Sequence, residues 1–385
     1  MPRWRNLAAM LAVALTASTG CTDANAGNDA DVVVAASLEL SGNAADLGVA
    51  YQRALELRAA QINASGLLGR RRVTVRFQDN RGDPAIASSQ ITAFTEDPSV
   101  VAIVTGACAE CTIGAAERID ARRKPTIALS PVAEVSAPVS QRRYIFRLAP
   151  NADDNAVVLG RELGRAGQRR LAFLSSDDAY GRGGTDALTR EAGKIGAKVV
   201  AHAQYAPSDA DLGHAARAAL AGNPDAVVVW GYPPQAALAV AALRGDGYHG
   251  QVYLDADAAG DLFLGGPAAN TDGTALVFIQ TLAIDDVIAT TPAKAARRQW
   301  FQDYTSHYGT YHGHASFAAD ALQLVANAVA RSGSIDGETL RARLETSQID
   351  GLSGPIRFTP NNHSGFMPQA LTMLEARAGR WRLAG

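Results

Sequence analysis

S-G-N-A-A-D-L-G at 41–48, I-N-A-S-G-L-L-G-R at 62–70 and V-T-V-R-F-Q-D-N-R-G-D-P at 73–84 read together as one βαβ unit. An apolar run, Val32–Leu38, precedes the first segment and predicts a strand. The polar, glycine-containing turn at Ser41 opens a helix, where free backbone N–H groups suit an anion or a zwitterion. Within 48–63, Tyr51, Leu55, Ala59 and Ile62 fall on one helical face. Asn63-Ala64-Ser65-Gly66 is a C-terminal stop, and a second strand, Val73–Asp79, follows.

The same alternation continues outward. Strands are predicted at Val100–Thr105, Thr126–Ser130, Leu171–Ser175, Lys198–Tyr205, Ala226–Gly231, Gln251–Asp255 and Ala275–Gln280. Helices are predicted at 84–96, 112–123, 153–166, 182–195, 209–221 and 234–246. Continuous apolar runs such as Ala226–Trp230 suit strands covered on both faces, so the class is α/β with parallel sheets. Nine strands exceed one comfortable sheet and predict two lobes, with a break near Arg147–Asn151. After Ile284 the pattern changes to helices near 294–308, 316–332 and 337–346, then a hairpin-like end containing Gly351, Gly354, Pro355 and Pro360.

The 385 residues are 47% apolar and 19% charged with a formal net charge of −2, which is globular and gives no basic footprint for nucleic acid. Arg3 and Arg5, the apolar run Leu7–Ala17 and Ser18-Thr19-Gly20-Cys21 read as an export signal over 1–21. The apolar run is shorter than the roughly 20 residues a spanning helix needs. Ending on Gly20-Cys21 is similar to a lipoprotein processing site, with acylation of Cys21; ordinary cleavage nearby and a retained anchor are the alternatives. Residues 22–30 are small and polar, as a tether is.

Cys108 and Cys111 have C-x-x-C spacing. A local disulfide, free buried thiols and a redox or metal role fit it; export favours the disulfide, and no second pair completes a zinc site. His307, His312 and His314 in H-Y-G-T-Y-H-G-H read as exposed loop histidines, with no metal set beside them. Gly181-Arg182-Gly183-Gly184 fails the dinucleotide fingerprint, because Asp186 stands where the third glycine belongs. No nucleophile elbow, zincin or P-loop motif occurs, so neither an enzyme nor a cofactor is expected.

S-G-N-A-A-D-L-G, I-N-A-S-G-L-L-G-R, Q-D-N-R-G-D-P, A-L-S-P-V-A, D-D-A-Y-G-R-G and W-G-Y-P-P, in this order, resemble the type 1 periplasmic binding proteins over residues 31–385. The nearest branch resembles the leucine/isoleucine/valine-binding proteins of ABC importers. The resemblance implies two Rossmann-like lobes joined by three crossovers, with a ligand held in the cleft between them. Lobe one would take 31–148 plus 283–365, and lobe two 149–282 plus 366–385.

The resemblance also implies site residues. The family holds the ligand's carboxylate and ammonium at two strand ends of lobe one. Those are Cys108, Ala109 and Glu110 after one strand, and Ala133 and Glu134 after the next, with Ser41 in the first turn. Amino acid binders have a serine in the first segment and Ala-Thr ending the second; Cys108/Ala109 and Glu134 replace those hydroxyl donors here. Tyr180, Tyr232 and Asp257 match lobe-two residues that close on the ligand, Asp257 as the acid facing an ammonium. Leu47 stands where the family has an aromatic in the first turn.

The expectation is an exported, lipid-anchored, monomeric solute-binding protein that captures a small amine-bearing or amide-like molecule and passes it to permease subunits. A ligand sensor in a signalling system and an exported enzyme are the competing classes.

Overall fold

A computed structural model describes residues 30–258 and 271–384. The first unit forms as its pattern predicts. Strand β1 (Val32–Leu38) leads into α1 (Ala45–Ser65), which stops at Gly66 in the left-handed conformation, and β2 (Val73–Asp79) follows. Helix α2 (Pro84–Glu96) starts where the Asp83 side chain accepts the N–H groups of Ala85 and Ile86 and Pro84 needs no N–H partner. Strand β3 (Val100–Thr105) is buried along its whole length.

The helix expected at 112–123 is two pieces, α3 (Ala109–Ile113) and α4 (Ala116–Arg122). Cys108 caps α3 through its sulfur, and the chain turns at Gly114-Ala115 before α4 begins. Strands β4 (Thr126–Ala128) and β5 (Ile145–Arg147) complete a five-stranded, all-parallel sheet in the order β2-β1-β3-β4-β5. β5 is additional to the expected strands, because three residues are too few to show a period.

The second sheet begins after α5 (Ala152–Arg165), with β6 (Arg170–Ser176), α6 (Ala179–Lys194), β7 (Lys198–Tyr205), α7 (Gly213–Leu220), β8 (Ala226–Trp230), α8 (Gln235–Gly245), β9 (Gln251–Leu254) and β10 (Ala275–Ile279). Helices α9 (Pro292–Tyr308), α10 (Ala315–Ser332) and α11 (Gly337–Leu344) follow. The end of the chain holds two hairpins: β11 (Gln348–Asp350) with β12 (Pro355–Arg357), and β13 (Leu371–Arg377) with β14 (Arg380–Leu383). The sheet order is β14-β13-β10-β9-β8-β6-β7, parallel except where β13 joins β10 and β14 antiparallel. The chain therefore folds as two α/β units, and its last hairpin returns to the second sheet.

The crossovers between the sheets are tied together. Leaving β5, Arg147 donates its N–H to the His363 carbonyl at 2.8 Å, and Gly365 donates back to the Arg147 carbonyl at 3.0 Å. The Arg147 guanidinium is buried and donates to the Pro131 carbonyl at 3.1 Å. Burial, offset by Asp154, Asp257 and Glu134, lowers its pKa to about 10. Among the described residues no helix is long and apolar enough to cross a membrane. Cys21, the export signal and the tether lie outside the described residues.

Candidate functional site

A cavity of about 1080 Å³ opens between the carboxyl ends of both sheets. In open α/β sheets that edge is where loops bring polar groups together. The first sheet supplies Glu39 after β1 and Ala107–Glu110 after β3; the second supplies Ser176, Tyr232 and Asp257 from β6 and the ends of β8 and β9.

Tyr180 is set by the start of α6. Asp178 caps this helix, accepting the Gly181 N–H at 2.8 Å and the Ser176 hydroxyl at 2.9 Å. The Tyr180 ring stacks on Tyr232 at 4.6 Å between centroids, and together they make an aromatic wall. Its hydroxyl is already committed, donating to the buried Asp255 carboxylate. Asp255 also accepts the N–H groups of Gly231 and Asp257, each at 3.0 Å. Burial and the neighbouring Asp257 carboxylate push the Asp255 pKa up.

Asp257 is 5% exposed, and its Oδ1 pairs with Nε2 of His314, itself 2% exposed, at 3.2 Å. Its Oδ2 and the His314 Nδ1 have no hydrogen-bond partner, and both residues line the cavity. His314 occupies the N-cap position of α10, yet its side chain does not cap the helix and turns to Asp257 instead. His312 accepts the His314 backbone N–H on Nδ1 at 3.3 Å. Burial, with His314 beside it, lowers the His312 pKa to about 3. The reading of the H-Y-G-T-Y-H-G-H histidines as exposed therefore fails for His312 and His314. Packing of the turn against Phe278 and Asp257 draws His314 inward.

Across the cavity, Glu39 is 1% exposed. Its carboxylate accepts the N–H groups of Ala107 and Cys108, each at 3.2 Å. Gly106 makes this contact feasible, since a Cβ there would lie 2.0 Å from Glu39 Oε2. Burial raises the Glu39 pKa against the opposing pull of these hydrogen bonds. The buried Tyr51 hydroxyl is held far above its usual pKa, mainly by burial and then by Asp257 and Glu39. Both carboxylates thus act on one small region.

Cys108 and Cys111 form a disulfide with an S–S distance of 2.03 Å, and Cys108, Ala109 and Glu110 line the cavity. Glu39 lies within 4.8 Å of both sulfurs, but their bond leaves no thiolate to ligate a metal. The remaining expected residues sit elsewhere. Ser41 donates its backbone N–H and hydroxyl to Asp79, at 3.2 and 2.6 Å, and leaves the cavity wall to Gly42 and Asn43. Ala133 and Glu134 are exposed on a short 3-10 turn, and Val132 lines the cavity in their place.

Glu39 is absent from the residues singled out in the sequence, and so are His312 and His314 as site residues. An acid directly after a buried strand was a usable signal for Glu39. The histidines carried none, because only tertiary packing brings their turn to Asp257.

The profile described as "Periplasmic binding protein" matches residues 31–380. Among curated proteins, the chain is 27% identical over 231 residues to the chemotactic signal transduction system substrate-binding protein BasB of Halobacterium salinarum, covering 58% of this chain and 55% of that one. It is 25% identical over 229 residues to an amino acid binding protein of Pseudomonas aeruginosa, covering 59% and 60%. The match thus spans little more than half the length of these relatives. The solved leucine binding protein LivK of Thermotoga maritima shares the fold with a TM-score of 0.80 at 18% identity, over 92% of this chain and 98% of that one. Two α/β units with a lined cavity at their facing strand ends, matched by one profile across nearly the whole chain, place it in a single group: the chain belongs to the type 1 periplasmic binding protein family.

Proposed function

We propose that this protein is an extracytoplasmic solute-binding protein that captures a small amine-bearing molecule, of amino acid or amide type, in the cavity between its sheets. The observation that carries the reading is the buried Asp257–His314 pair, which leaves Asp257 Oδ2 and His314 Nδ1 without partners at the cavity wall. A buried carboxylate oxygen without a donor is costly, on the order of 1–3 kcal/mol, and a bound ammonium supplies the missing N–H groups. With Nε2–H donated to Asp257, His314 Nδ1 is a second acceptor for the same ligand. Tyr180 and Tyr232 give the ligand an aromatic surface.

In this reading the lobes are 31–148 plus 283–365 and 149–282 plus 366–385, the chain is monomeric, and Cys21 carries lipid. Ligand closes the lobes, and the closed form docks the permease of an ABC importer. The amino acid binding relative supports the ligand class. The likeness to BasB favours one alternative, that the closed form docks a signalling receptor. Isothermal titration with amino acids, their amides and simple amines tests capture. Binding of at least one with a gain in thermal midpoint is expected, and a panel without any binder refutes it. Co-purification of the loaded protein with a permease or with a receptor separates the two destinations.

A further inference from the structure

The donors at the β3 end of the cavity are already in use. The Ala107 and Cys108 N–H groups would be the natural place for a ligand carboxylate, because two adjacent backbone donors there suit an anion. Glu39 fills them with its own carboxylate, at 3.2 Å to each. The arrangement is built in. Glu39 is 1% exposed, Gly106 gives up its side chain to the carboxylate, and a Cβ at Gly48 would lie 2.0 Å from the Glu39 carbonyl oxygen. Neither arginine lining this part of the cavity is paired with Glu39 by a hydrogen bond. Arg53 lies over the Tyr308 ring at 5.2 Å, and Arg81 sits in the turn after β2.

We infer that Glu39 is a specificity-determining residue: by occupying the Ala107 and Cys108 N–H pair from within, it makes the cavity select ligands that carry an amine but no carboxylate. This rests on the cavity being a ligand-capture site. A ligand carboxylate would lose its donors and would face Glu39 at close range, whereas an ammonium meets Asp257 Oδ2 and His314 Nδ1, neither of which has a partner. Like charges brought together in this way repel strongly and select against the wrong ligand. Primary amines and amino acid amides fit; free amino acids do not.

The test uses matched pairs that differ only in the carboxylate: leucine and leucinamide, phenylalanine and phenylalaninamide, valine and valinamide, with isoamylamine as a simple amine. Titration calorimetry near neutral pH compares the wild type with Glu39→Ala and Glu39→Gln. The expected result is that amides bind the wild type at least about 100-fold tighter than the matching acids. Glu39→Ala frees the N–H pair and should shift the ratio of acid to amide affinity about tenfold or more in favour of the acids. Glu39→Gln, which removes the charge but still fills the space, should fall between.

Wild-type protein that binds an acid as tightly as its amide overturns the inference and leaves the capture reading standing. So does an amide preference that survives both substitutions unchanged. If neither acids, amides nor isoamylamine bind, the capture reading itself fails and takes this one with it. Should Glu39→Ala not fold, the wild-type comparison and Glu39→Gln decide the matter.

Discussion

Replacing Asp257 by asparagine separates a binding group from a structural one by the signs of two effects. The asparagine side chain is isosteric and keeps an oxygen for the His314 Nε2–H at the 3.2 Å contact. Asp257→Asn removes a charge from a residue only 5% exposed, and with it the repulsion that helps raise the Asp255 pKa. It also replaces an oxygen without a partner by an amide group. The free protein should therefore lose no stability and gain up to about 1 kcal/mol, or about 2 °C in thermal midpoint for a chain of this size. Ligand binding should move the other way. Losing a buried charge-assisted contact to an ammonium costs about 2–5 kcal/mol, an affinity loss of about 30-fold to several thousandfold. Differential scanning calorimetry gives the first quantity, and titration calorimetry gives the second with whichever amine or amide the wild type binds best. A fall of several degrees in the free protein with unchanged affinity would refute the reasoning and make Asp257 only a structural partner of His314.

Gly106→Ala should cost about 2–3 kcal/mol in urea unfolding, because the new Cβ would meet Glu39 Oε2 at 2.0 Å and displace a buried carboxylate; an unchanged midpoint would count against that contact. Asp320→Ala should cost about 3–5 kcal/mol, since Asp320 accepts the Leu352 and Ser353 N–H groups at 2.8 and 2.7 Å and the substitution leaves both without partners. Its thermal midpoint should fall while ligand affinity stays within about threefold, as Asp320 does not line the cavity. The His312 imidazole titrates near 6.5 when unfolded but near 3 when folded, so unfolding takes up a proton between those values. Its contribution to stability is present above the unfolded value and is lost as pH falls towards 3. Because His312 is only half-buried, the loss should be about 1–3 kcal/mol, and His312→Gln should flatten it in a pH series of thermal midpoints.

The scaffold was legible because its signals are local. The elements from Val32 to Thr126 alternate by apolar run and amphipathic period, and β1, β2, β3 and β7 span the residues expected of them. β5 escaped because three residues carry no period, and the 112–123 helix broke because the disulfide and the turn at Gly114-Ala115 act on single positions. Asp257 and Tyr180 were reachable through the family resemblance. The cavity position expected for Glu134 was not, because the 3-10 turn at Ala133–Val135 leaves Glu134 exposed and puts Val132 at the cavity.

From sequence alone, then, come the α/β class and the two-unit plan, since each depends on neighbours within one or two turns of chain, while the family resemblance pointed to strand ends that line the cavity. What faces that cavity depends on tertiary structure. Glu39 reaches the N–H of Cys108 across 69 positions, and His314 meets Asp257 across 57. Such pairs come from packing two sheets and a helix-entry turn around one cavity, where burial and charge decide what each polar group can accept; no period in the sequence records those distances.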